Sequence, residues 1–319
     1  MKKRLLILFF TLIIFPLNVL AYSKYLIPGG ENIGITIKNN GILVVGFYDI
    51  GEQSDLQIGD IIVSINDNQV VSITDMISYI DLNKDTSSIK IGFIRNNNLR
   101  YTNLNLVKDD NNVYKTGLYV KDSITGIGTL TFIDPNTNKY GALGHSITDN
   151  KTNTKFEVKN GKIFKSDVLG IDKSIDGRTG EKNAKFYFDT NYGNIEKNLE
   201  TGIFGTYNKE YDKSKVLSIA EIKDIQLGEA IIKTTLDNNE VKDYKIEIIS
   251  IDELSPTKNI LFKINDDELI SKTGGIVKGM SGSPIIQNNK IIGAVTHTVI
   301  SDNTKGYGIS IVNMLKSME

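Results

Sequence analysis

Gly279-Met280-Ser281-Gly282-Ser283-Pro284 runs into Ile285-Ile286, the polar turn Gln287-Asn288-Asn289-Lys290 and the apolar run Ile291-Ile292-Gly293-Ala294-Val295-Thr296-His297. Apolar segment, turn, apolar segment is the pattern of a β-hairpin, and a glycine-framed serine stands just ahead of it. A nucleophilic serine needs a tight turn that exposes its hydroxyl, a base within hydrogen-bond reach, and N–H groups aimed at the oxygen that becomes negative. Gly279 and Gly282 suit such a turn, because glycine adopts unusual backbone angles without penalty. The amides of Gly279 and Ser281 can then converge as an oxyanion hole. Ser283 is the competing hydroxyl, but Pro284 follows it where a glycine would be wanted, so Ser281 is preferred. With no partner base the same segment reads as a plain Gly-Ser turn.

A partner exists. The chain has two histidines, and His145 ends the short apolar stretch Tyr140-Gly141-Ala142-Leu143-Gly144, on a glycine-flanked turn upstream of the serine. An imidazole titrating near neutrality suits a general base. His297, at the end of the second hairpin strand, is the competitor for the base and reads as cleft wall or structural. The serine block resembles the Gly-Asp-Ser-Gly-Gly-Pro nucleophile loop of chymotrypsin-like peptidases, with Met280 in place of Asp and Ser283 in place of Gly. The order histidine then serine agrees with that arrangement. Glycine-punctuated segments such as Gly126–Ile133 and Gly202–Tyr207 predict a barrel or sandwich of short strands over residues 109–319.

Residues 22–108 read as a separate module of strands and one helix. Gly41–Phe47 is a continuous apolar run and Asp60–Ile65 another strand. Ser72 starts a helix with Asp75 as its capping partner, and Ile73, Met76, Ile77 and Ile80 share one helical face. The segment Leu56-Gln57-Ile58-Gly59-Asp60-Ile61-Ile62-Val63-Ser64-Ile65-Asn66 resembles the Gly-Asp-x-Ile-x-x-Ile-Asn signature of bacterial protease-associated PDZ domains, with a shorter preceding loop. The resemblance implies a domain that binds an extended peptide as an added strand, with Ile33, Gly34 and Ile35 presenting N–H groups to a terminal carboxylate.

Composition narrows the remaining classes. Lys plus Arg number 37 and Asp plus Glu 38, a balance that argues against nucleic acid as a partner. Without any cysteine, thiol catalysis, disulfides and cysteine-ligated metals are excluded. Neither histidine lies in a His-Glu-x-x-His run, so no metal or other cofactor is expected. At the start, Lys2, Lys3 and Arg4 precede an apolar stretch from Leu5 to Ala21 interrupted by Thr11, Pro16 and Asn18. This predicts a signal peptide or signal anchor over residues 1–21, and export.

Together the two motifs, the PDZ-like module and the export signal resemble the stage IV sporulation protein B peptidase family, most specifically over Thr273–Pro284. The resemblance implies a mainly β protein, with a small PDZ domain followed by a trypsin-like double β-barrel. It assigns Ser281 as nucleophile, His145 as base and Asp266 as the acid. Asp267 is adjacent, and Asp189 stands at the more orthodox place between histidine and serine, so the acid stays open among the three. It further implies cleavage of a membrane-bound regulator, and of the protein itself, in the space around a developing forespore.

Overall fold

The computed structural model describes residues 22–49, 54–83, 86–109, 111, 113–175, 177–237 and 239–318. The expected leader over residues 1–21 lies outside them. The chain is mainly β, in two barrels and a smaller mixed unit.

The barrel nearer the carboxyl terminus is closed by six strands. Gly228–Thr235 pairs with Val241–Ile251, that with Ile260–Ile264, then Asp302–Ser310, Lys290–Val299 and Pro284–Gln287, which returns to the first through Ile232↔Ile285. Its core is aliphatic and aromatic, with Ile232, Tyr244, Ile246, Phe262, Ile285 and Val295 buried. Each such side chain contributes roughly 1.5–3 kcal/mol through its removal from water. The expected serine hairpin is present, and Asn288 and Asn289 turn it with φ of 50° and 59°. Two successive left-handed residues match the twist of paired strands, and asparagine tolerates that region.

In the other barrel Leu118–Ile133 lies between Asn32–Phe47 and Lys139–Ala142. Asn160–Asp172 extends one side and Glu181–Asn194 follows it. Gly202–Thr206 extends the other side, and the bridge Gly193↔Tyr207 closes the ring. Ile33, Ile35, Leu130, Tyr140, Ile163 and Ile203 fill it.

Asn32–Phe47 and Leu118–Ile133 are each 16 residues long, and both cross from this barrel into the mixed unit. There Ile42, Val44, Leu118 and the partly buried Val120 join Ile62, Ile91, Phe93 and the helix Ile73–Leu82 in a third core. The helix begins as read: Ser72 Oγ accepts from Asp75 N at 3.1 Å, and Asp75 Oδ2 accepts from Val71 N at 3.1 Å. The unit is therefore inserted between two barrel strands, whereas residues 22–108 were expected to stand apart ahead of the barrels. Tyr25–Pro28 and the first half of Asn32–Phe47 are barrel strands. Strand pairing brings together residues some ninety positions apart (Ile35↔Gly126), which no local pattern reports.

This overturns the expected carboxylate site. Ile33, Gly34 and Ile35 are paired on both edges, with Gly128, Ile127 and Gly126 on one side and Lys165, Phe164 and Ile163 on the other. They lie inside a sheet and cannot receive an added strand. Gly34 is needed there because a Cβ would stand 2.2 Å from the Phe164 ring.

Candidate active site

The turn that carries Ser281 is held from below by one strand. Thr129 N donates to Ser281 O at 2.9 Å and Thr129 Oγ1 to Gly279 O at 2.7 Å, while Thr131 Oγ1 donates to Gly282 O at 2.8 Å. Gly279 and Gly282 sit at φ of 93° and 92°, a region that strains any other residue. At Gly282 a Cβ would also stand 2.0 Å from Thr129 O and 2.5 Å from Leu143 N. That close approach brings the serine turn against the histidine turn. With both carbonyls bound beneath, the N–H groups of Gly279 and Ser281 have no protein acceptor among the described residues, which is the condition an oxyanion hole requires. Ser283 is fully buried, so it is not the reactive hydroxyl.

His145 is aimed by two successive left-handed residues, Leu143 at φ 69° and Gly144 at φ 72°. Gly144 packs so closely on the serine hairpin that a Cβ would meet Thr296 Cγ2 at 2.7 Å. His145 Nδ1 lies 2.8 Å from Ser146 O. A carbonyl can only accept, so Nδ1 carries the hydrogen and Nε2 is left as the proton-accepting nitrogen. Burial lowers the His145 pKa below its usual value, opposed by the Ser146 carbonyl and then by the Glu200 carboxylate. The His297 ring faces it, centroid to centroid 5.2 Å with a 44° tilt. Desolvation first, then the charges of His145 and Lys258, pull the His297 pKa down to about 4, so it remains neutral near neutral pH. Ser281 Oγ donates to Thr296 O at 2.9 Å. Proton transfer to His145 needs the hydroxyl to turn from that carbonyl, and such bonds commonly tighten only once substrate is bound.

Ser281, His145 and His297 share a cleft of about 630 Å³. Ile127 and Leu143 give it apolar wall, and Glu181, Glu200, Lys258 and Lys278 give it charge of both signs. The arrangement sets a hydroxyl, an imidazole of fixed tautomer and two N–H groups with no protein acceptor among the described residues along one cleft, the parts that acyl transfer requires. Among the described residues no group of three or more acidic or histidine side chains converges to hold a metal.

The structure does not bring the expected acid to this cleft. Asp266 caps the helix Asp267–Thr273: Oδ1 accepts from Leu269 N at 3.0 Å and Oδ2 from Lys245 N at 3.0 Å. It is not among the residues lining the cleft. Asp267 lies in the first helical turn, and Asp189 is exposed on the strand Glu181–Asn194. The carboxylate whose charge acts on His145 is Glu200, just ahead of the strand Gly202–Thr206 and hydrogen-bonded by Ser146 Oγ at 3.3 Å. Its place between histidine and serine in the chain was the available signal. The Ser146 carbonyl left none, since every residue has one. Asp266→Ala is expected to lower stability by about 1 kcal/mol, as for loss of an N-cap, and to change the rate of active-site labelling less than tenfold. Melting temperature and labelling by a fluorophosphonate check this; a thousandfold loss of labelling at unchanged stability would contradict the geometry.

The profile of the family described as SpoIVB peptidase S55 matches residues 112–315. No curated protein matches the sequence. Among solved structures, the PDZ domain of the SdrC-like protein from Listeria monocytogenes is 22% identical, covering 27% of this chain and 93% of that one (TM-score 0.24). The Rv3671c protease from M. tuberculosis in its active form is 13% identical over 59% of this chain and 70% of its own (TM-score 0.32). The HtrA-type protease AlgW with decapeptide is 10% identical over 67% and 60% (TM-score 0.34).

Proposed function

Because the chain belongs to the SpoIVB peptidase S55 family, and is thus a serine peptidase acting on protein or peptide substrates, we propose that Ser281 is its nucleophile and His145 its general base. In this reading Nε2 of His145 takes the Ser281 proton as Oγ attacks the scissile carbonyl, and later returns it to the leaving amine. The N–H groups of Gly279 and Ser281 hold the negative oxygen; one such donor is worth about 2.7–4 kcal/mol at the transition state. The observation that carries the reading is the His145 tautomer fixed by the Ser146 carbonyl, in the cleft that also holds Ser281. The physiological substrate is a membrane-bound regulatory protein, with the enzyme itself as a second substrate. The site of action is outside the cytoplasmic membrane, in the space around a forespore. The cationic and apolar leader of the sequence supports export, and the family supports the sporulation role.

The test is the pH dependence of fluorophosphonate labelling of the full chain. The base works when neutral, so the labelling rate is full at high pH and falls as acid protonates His145. Because burial lowers that pKa, the midpoint is expected below the free imidazole value of about 6.5. Glu200→Gln, which removes a charge favouring the protonated form, is expected to move the midpoint further down. A midpoint at or above the free value would contradict the assignment. The rival is a catalytically silent PDZ scaffold, and one observation favours it: the Ser281 hydroxyl is turned toward the Thr296 carbonyl. A folded parent that does not label at any pH would establish the rival.

A further inference from the structure

The strand Glu181–Asn194 begins directly beneath the nucleophile loop. Lys278 N donates to Gly180 O at 2.8 Å, and Lys182 N donates to Lys278 O at 3.0 Å. The Lys182 side chain then passes under Gly279, where a Cβ would stand 3.1 Å from Lys182 Cδ and 3.3 Å from its Cβ. Its Nζ donates to Asn32 Oδ1 at 2.9 Å and to Thr234 Oγ1 at 3.1 Å. Asn32 belongs to one barrel and Thr234 to the other. Lys182 is 2% exposed, and no carboxylate is paired with it among the ion pairs of the described residues. Burial alone pulls its pKa down to about 7.

An amine buried among neutral acceptors is costly, and a methionine of similar length would fill the same space without that penalty. The contribution of the amine therefore lies in what it joins. We propose that Lys182 is a positioning residue that pins Asn32 of one barrel to Thr234 of the other beneath Gly279, and so holds the nucleophile loop with its N–H groups open to the cleft. The inference rests on the reading that Gly279 and Ser281 form the oxyanion hole. Lys182 does not touch the reacting atoms and exchanges no proton with them.

The test uses the full chain, as parent, Lys182→Met and Thr234→Val. Three quantities are read: melting temperature, the split of fluorophosphonate labelling into affinity and maximal rate, and hydrogen exchange at the Lys278, Met280 and Gly282 amides. Those amides are bonded to Gly180, Val277 and Val295 respectively. For Lys182→Met the maximal labelling rate is expected to fall on the order of 10²–10³, the loss seen when one oxyanion donor is removed. Reagent affinity stays unchanged, and the three amides exchange faster in a chain that still melts cooperatively. Thr234→Val, which removes one acceptor and keeps the volume, is expected to move both readouts the same way by a smaller factor. A folded Lys182→Met with parental rate and parental exchange overturns the proposal. If Lys182→Met does not fold, a Thr234→Val variant with both readouts parental overturns it equally. A parent that fails to label shows that the reading of Ser281 and His145 as nucleophile and base is wrong; the exchange comparison then still decides whether Lys182 holds the loop.

Discussion

Ser281→Ala is expected to lower turnover about 10⁶-fold, as loss of the nucleophile does in other serine peptidases. At 1.36 kcal/mol per decade this is about 8 kcal/mol of transition-state stabilisation. The fold should be indifferent to the change. Ser281 is only partly buried, and its hydroxyl makes one hydrogen bond, to the Thr296 carbonyl. Its backbone carbonyl, which Thr129 binds, is retained in alanine. The measurement is fluorophosphonate labelling and fragment formation on a gel, parent beside variant, with a melting curve for each. Labelling and fragments in the parent, both absent in an equally stable variant, are the expected result. Equal labelling of the two would move the nucleophile elsewhere, and Ser283 is an unsuitable refuge because it is fully buried.

His145→Ala is expected to cost nearly as much, and the double variant with Ser281→Ala no more than either alone. Nucleophile and base act as one unit, so their losses do not add. His297→Ala separates the two histidines. Its ring lies 5.2 Å from that of His145, but the Ser146 carbonyl holds Nδ1 of His145, which leaves Nε2 of His145 to accept the proton in the proposed mechanism. Removing His297 is expected to change turnover by no more than about tenfold, well below the roughly 10²–10⁴ that a general base contributes. The same labelling assay decides: a millionfold loss for His297→Ala beside a mild one for His145→Ala would exchange their roles.

The leucine at position 143 shows how much structure the histidine turn absorbs. Its φ of 69° is unusual for a branched side chain, and its Cδ2 occupies the space a Cβ at Gly128 would need, at 2.2 Å. Two local irregularities, at 143–144 and at 279–282, are therefore pressed together by strands that begin more than a hundred positions apart. Cleft geometry is set by that contact.

The amino-acid sequence alone determined the reactive vocabulary of this protein. Glycine at 279 and 282, serine at 281, the asparagine turn at 288–289 and the apolar strands around them are local signals, because backbone freedom and side-chain alternation act over a few residues. The helix cap at Ser72 was legible for the same reason. Tertiary structure alone decided the rest. Asp266 became a helix cap because its neighbours in space are the amides of Leu269 and Lys245. Ile33, Gly34 and Ile35 became a central barrel strand because two distant strands satisfy their hydrogen bonds. Lys182 became a buried tie beneath Gly279, though its neighbours in the chain, Glu181 and Asn183, are polar. Hydrogen-bond partners across a sheet and the burial of a charge depend on pairing between distant segments, and that information exists only once the chain has closed on itself.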